Sequence, residues 1–182
     1  MKKALLLTLA LMLSATMAFA QAGSVGVFAD VAGTDCNLLD VVPGLCTYHF
    51  VHVLHGGATA CQFAAPLPSC FAGTYLSDGQ KFPVTIGNSQ TGVSIGYGGC
   101  VGAPTNVLDI SLFCQGLTGP CCYYTVVPDP NAPSGEIEVV DCSNALLYAT
   151  GGTGIINSNA NCDCNVPAED STWGKVKSLY TD

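Results

Sequence analysis

The chain has 182 residues, with five lysines, no arginine and 13 acidic residues, for a formal charge of −8. Without arginine it offers no bidentate phosphate contact, and so few cations neutralise few phosphates. Nucleic acid and anionic membrane surfaces are therefore poor partners.

The first 20 residues read as a secretory leader. Lys2 and Lys3 precede an apolar run from Ala4 to Leu13, and Ala18-Phe19-Ala20 forms an A-x-A cleavage box. Ser14 and Thr16 break the run short of the ~20 residues a membrane span needs. Cleavage before Gln21 leaves three lysines against 13 acidic residues, a formal charge of −10. Such acidity makes copies repel one another at low salt. What remains fits one domain over 21–165 with a tail over 166–182, and it holds no apolar run long enough to span a bilayer.

Short strand-like runs then follow one another between turn signals: SVGVFAD, CTYHFVHVLH, TACQFAAP, GTYL, KFPVTI, TGVSIGYG, NVLDISLFC, CYYTVVPD, GEIEVVDC, ALLYAT and TGIINS. Asp78-Gly79 is expected to close the fourth as a turn. Leu108, Ile110, Leu112 and Cys114 share one face against Asp109 and Ser111, and Ile137 and Val139 oppose Glu136 and Glu138. That is half-buried strand. Many such strands without intervening helices predict an all-β fold, an antiparallel β-sandwich, with a barrel as runner-up. PDPNAP (128–133) and NSNANCDCN (157–165) read as surface loops.

All 11 cysteines follow the leader: Cys36, Cys46, Cys61, Cys70, Cys100, Cys114, Cys121, Cys122, Cys142, Cys162 and Cys164. In an exported chain they form a disulfide framework. Neighbouring side chains on a strand point to opposite faces, so the adjacent Cys121 and Cys122 should enter different bridges. Spacing permits Cys36–Cys46, Cys61–Cys70, Cys114 with Cys121 or Cys122, and Cys142 with Cys162 or Cys164. The odd count leaves one sulfur over, and Cys162 or Cys164 is the expected one, with a buried free cysteine as the alternative.

In the tail, Asp170 or Ser171 can cap a helix, and Trp173, Val176, Leu179 and Tyr180 fall on one face at helical spacing. The expectation is a short amphipathic helix that covers an end or edge of the sandwich, or else a sorting or docking tail. The segment T-W-G-x-V-K-x-L-Y at 172–180 resembles the close of a group of uncharacterised secreted bacterial proteins, and VGVFAD–GTDC at 25–36 is similar to their start. That resemblance brings no function with it.

No chemistry-bearing set survives scrutiny. Gly92-Val93-Ser94-Ile95-Gly96 matches a hydrolase nucleophile elbow, but no helix can follow it and all three histidines lie upstream. On a strand, His49 and His55 share one face and His52 takes the other, so the three cannot hold one ion. Asp109, Glu136 and Glu138 alternate outward, which favours solvation over a glycosidase pair. The Asx-rich loop has only Asp163 as carboxylate for Ca²⁺. No cofactor is implied. The expectation is a non-enzymatic structural or assembly protein of the cell surface or extracellular space, its partners other copies of itself or cell-surface components. The alternative is a glycan- or small-ligand-binding module, for which Tyr97, Tyr123 and Tyr148 are the loosely placed aromatics.

Overall fold

Apolar residues at every second position commit most of this chain to strands with one dry face, and turn residues between them set where each strand stops. The computed structural model describes residues 22–164. The strands are β1 (Ser24–Phe28), β2 (Asn37–Leu38), β3 (Pro43–Val53), β4 (Ala58–Phe63), β5 (Thr74–Gln80) and β6 (Val84–Asn88), then β7 (Gly92–Val101), β8 (Thr105–Gln115), β9 (Cys122–Thr125), β10 (Ile137–Asp141), β11 (Leu146–Gly151) and β12 (Thr153–Ile156). Among the described residues there is no helix, and none long and apolar enough to cross a membrane. The leader and the tail, with Trp173, Val176, Leu179 and Tyr180, lie outside the described residues.

Nine strands form one sheet in the order β5-β8-β3-β1-β11-β10-β4-β7-β6, and β2-β12-β9 form a second. The expected all-β, disulfide-stapled sandwich is present, but it is not purely antiparallel. The large sheet is continuous and curls nearly onto itself, and β1–β11 and β2–β12 pair in parallel. Its two edge strands, β5 and β6, are brought together by the connection 81–83. Asp78 then ties them, accepting from the Ser89 N–H (2.6 Å) and hydroxyl (2.7 Å). Asp78-Gly79 is consequently part of β5 and not a turn, and Gly79 pairs with Asp109 across to β8.

The halves of the curled sheet face each other across one core. Phe50 of β3 meets Phe63 of β4 (ring centroids 5.4 Å) and Tyr124 of β9 (6.0 Å, edge to face). Edge-to-face aromatic pairs add to what their burial alone contributes. The Tyr124 hydroxyl, sealed in this core, donates to the Ala65 carbonyl (2.9 Å). The chain passes from the large sheet to the small one at Gly152, where a Cβ would stand 2.8 Å from the Gly26 Cα. Only glycine allows β11 to run on into β12 there.

Five disulfides join Cys36–Cys164, Cys46–Cys114, Cys70–Cys122, Cys100–Cys142 and Cys121–Cys162. Cys121 and Cys122 enter separate bridges. None of the pairings suggested by local spacing is present, because strand partners and not chain neighbours decide which sulfurs meet. Cys46 lies on β3 beside β8, which brings it Cys114. Cys100 and Cys142 meet across the end of β4, where Ala58 pairs with both Val101 and Asp141. The unpaired cysteine is Cys61, not Cys162 or Cys164, and it is buried.

Alkylation of the unreduced, denatured protein should therefore modify one cysteine, Cys61, and alkylation of the native protein none. Peptide mapping that finds label on Cys162 or Cys164 contradicts this pairing.

Candidate interaction surface

The motifs singled out in the sequence land on strands without forming a catalytic set. Ser94 sits in mid-β7, paired with Gln62 and Ile86 on its two neighbours, with no elbow around it. Glu136 is exposed, and Glu138 lies half-buried on the outer face of β10. Asp109 faces outward as expected but is not merely solvated. It accepts from His49 Nδ1 (2.6 Å) and Asn106 Nδ2 (2.9 Å) on one oxygen and contacts the Lys81 ammonium with the other. Burial alone would raise the carboxyl's pKa; hydrogen bonds from Lys81, Asn106 and His49 hold it below the usual range. The cluster ties β3, β8 and the 81–83 connection.

The other two histidines do what strand alternation forbids. Leu54 has φ 57°, a conformation that ends β3 and turns His55 back over His52, with ring centroids 4.0 Å apart. His52 is fully buried. Its Nε2 donates to the Ala22 carbonyl (2.6 Å), so Nδ1 is the acceptor for the Tyr97 hydroxyl (3.1 Å). The Cys61 thiol lies beside Tyr97. His55 accepts the Gly57 N–H at Nδ1 (3.2 Å) and turns Nε2 to the Thr105 hydroxyl (3.4 Å). Both rings are thus set as neutral imidazoles. Burial lowers the His52 pKa to about 4, against the partial support of the Ala22 carbonyl and with help from His55. Burial lowers His55 as well, and pushes the Cys61 thiol up to about 12, so that it is an inert hydrophobe rather than a nucleophile. This network secures the start of the domain to the core.

The tyrosines do not form a platform. Tyr97 is buried in that network, while Tyr123 and Tyr148 are exposed on different sheets. Two concavities accompany them. One, about 160 Å³, is a shallow trough on the outer face of β6, β7, β4 and β10, floored by Ala60 and Gly96. The other, about 380 Å³, lies beside Cys164 and is bordered by Phe28, Tyr123 and Ile155.

The most unusual surface lies at one end of the molecule, where the β2–β3 connection meets the β8–β9 connection. Leu38 and Asp40 are buried, so the alternating Leu39 is turned out, and Val41 and Val42 follow it. Leu45 on β3 stands opposite Phe113 on β8, and Leu117 crowns the next loop. These six side chains range from 44% (Phe113) to 80% (Leu45) exposed. Together they present on the order of 600 Å² of apolar surface, the top of the range for the largest patch on a monomer.

A loop of bare aliphatics would collapse unless its backbone were fixed, and here it is fixed from below. The Asp40 carboxylate, 1% exposed, accepts from Gly116 N–H (2.6 Å), Thr118 N–H (3.3 Å) and the Thr118 hydroxyl. Asn157, in the left-handed conformation that asparagine tolerates, accepts from Asp40 N–H (2.9 Å) and donates to the carbonyls of Asp40 (3.0 Å) and Thr118 (2.7 Å). Tyr48 donates to the Leu39 carbonyl (3.0 Å). Cys46–Cys114, Cys70–Cys122 and Cys121–Cys162 staple the strands around this knot. The Asx-rich loop thus spends Asn157 on the fold rather than on a cation. Among the described residues no group of three or more His, Cys, Asp or Glu is placed to hold a metal.

No protein-family model matches the chain, and no curated protein matches it. Among solved structures it is similar to a non-cellulosomal cohesin from the hyperthermophilic archaeon Archaeoglobus fulgidus, with TM-score 0.48 and 10% identity over 76% of this chain and 93% of that one. It is similar to the sixth cohesin of scaffoldin B from Acetivibrio cellulolyticus, solved with a Cel5 dockerin (TM-score 0.46, 11% identity, 75% and 98% covered). A type I cohesin–dockerin complex from Clostridium thermocellum is a third (TM-score 0.47, 11% identity, 77% and 97% covered). These are likenesses in outline, at identities where nothing about binding passes from one chain to another.

Two outcomes are expected. A histidine whose folded pKa is depressed adds stability above its unfolded pKa of 6.5 and loses it as pH falls towards 4. Denaturant unfolding should therefore show a loss of about 3 kcal/mol between pH 7 and pH 4, and His52→Gln should flatten that slope; an unchanged slope removes His52 as its source. Asp40→Ala leaves three buried donors without an acceptor and should destabilise the protein by about 3 kcal/mol. A melting point within a degree of wild type would show that the knot contributes nothing.

Proposed function

We propose that this chain is a secreted, non-catalytic structural or assembly module of the cell surface or extracellular space, and that it works by holding another macromolecule against its rigid apolar end. The observation that carries the proposal is the pairing of extreme exposure with extreme fixation. Leu45 and Leu117 are 80% and 73% exposed, yet the backbone beneath them is clasped by Asp40, Thr118 and Asn157. A surface ordered in advance loses little entropy when it docks, so more of its apolar burial shows as affinity. Export supports the same reading. The leader-like start and the ten paired cysteines suit an oxidising compartment, where such bridges persist.

The test is retention. In the cells that export it, wild-type protein should stay with the surface or matrix fraction, whereas Leu45→Lys combined with Leu117→Lys should pass into the medium. If the double variant, folded and fully oxidised, partitions as wild type does, the apolar end is not what holds the protein in place.

A further inference from the structure

The partner of the apolar end can be narrowed by charge. We infer that it is a second copy of this chain, docked end to end about a two-fold axis; this rests on the interaction-surface reading above. The carboxylate nearest the patch is Asp40, which is buried with both oxygens engaged. The rim is uncharged: Thr47, Thr74 and Gln115 flank Leu45 and Phe113 in the strand register. Asp109 lies four residues back along β8, roughly 13 Å away at strand rise, and is neutralised by Lys81. Asp78 is turned to Ser89.

Among the described residues the patch is therefore poor in charge, on an acidic molecule. Over the acidic remainder of the molecule two copies repel on balance. End to end they meet apolar surface with apolar surface and keep their carboxylates apart. A basic partner would find no counter-charge here, so charge does not favour one. Such an end-to-end contact is isologous: one patch meets itself across the axis. About 600 Å² from each copy gives about 1,200 Å² in all, the lower bound for a specific interface. The dimer should accordingly be reversible rather than permanent.

Sedimentation equilibrium of the oxidised protein tests this. Wild type should show a monomer–dimer equilibrium at micromolar concentration, and dimerisation should tighten as salt screens the acidic bodies. Leu45→Lys or Leu117→Lys should weaken it at least tenfold, with melting point and disulfide count unchanged, since both side chains are exposed. Dimerisation that survives both variants, or that weakens with added salt, places the contact elsewhere and overturns the inference. A protein that stays monomeric but cosediments with phosphatidylcholine vesicles through Leu45 and Leu117 also overturns it, while leaving the apolar end as an interaction surface. A monomer that ignores vesicles, with cell-surface retention unchanged in the double variant, overturns both.

Discussion

One buried carboxylate organises the apolar end of the molecule. Asp40 sits between two loops that share no backbone pairing at their tips, and it gives the donors of the 116–118 segment a single acceptor. A carboxylate taken out of water is costly unless its lone pairs are filled, so the arrangement is all or nothing. With Gly116 and Thr118 in place, the loop has one conformation, and its aliphatic side chains have nowhere to turn but outward. Gly116 is required as well: its φ is 71°, and a Cβ there would stand 3.2 Å from the Val42 Cα.

The disulfides work on a different scale. They close loops of 41 to 128 residues, so each restrains the unfolded chain by roughly 4 kcal/mol in the chain-entropy picture, although overlapping loops do not add. Three of them surround the Asp40 knot, and Cys36–Cys164 and Cys100–Cys142 fasten other parts of the molecule. The sheet's two edge strands are tied at one point, through Asp78 and Ser89. The bridges restrain the unfolded chain, and near the knot they also limit how far the loops can open.

Strand by strand, much of this was legible. Leu108, Ile110, Leu112 and Cys114 are all buried and Glu136 is exposed, as simple alternation requires, because each strand carries its own period. What alternation cannot supply is which strand lies beside which. The disulfide partners were missed for that reason, and so was the parallel pairing that carries Cys36, at the start of β2, towards the close of β12. β2 itself is two residues long and has no period to read. The His52–His55 stack depends on one leucine adopting a left-handed backbone, for which the sequence has no signal. The apolar end had a trace in LLDVVPGLC, an aliphatic run beside Pro-Gly where a loop should be polar. Whether such a run is exposed or tucked in depends on Asp40 and on a glycine and threonine some 76 and 78 residues away.

The central claim is that the apolar end is held rigid by its buried polar knot. Native-state hydrogen exchange, residue by residue, tests it most directly. The amides of Asp40, Gly116 and Thr118 should exchange as slowly as those of Ile110 and Leu112 in the middle of β8, because they open only when the core does. If those three amides exchange at the rate of open loops while β8 stays protected, the end is not preorganised and the account fails.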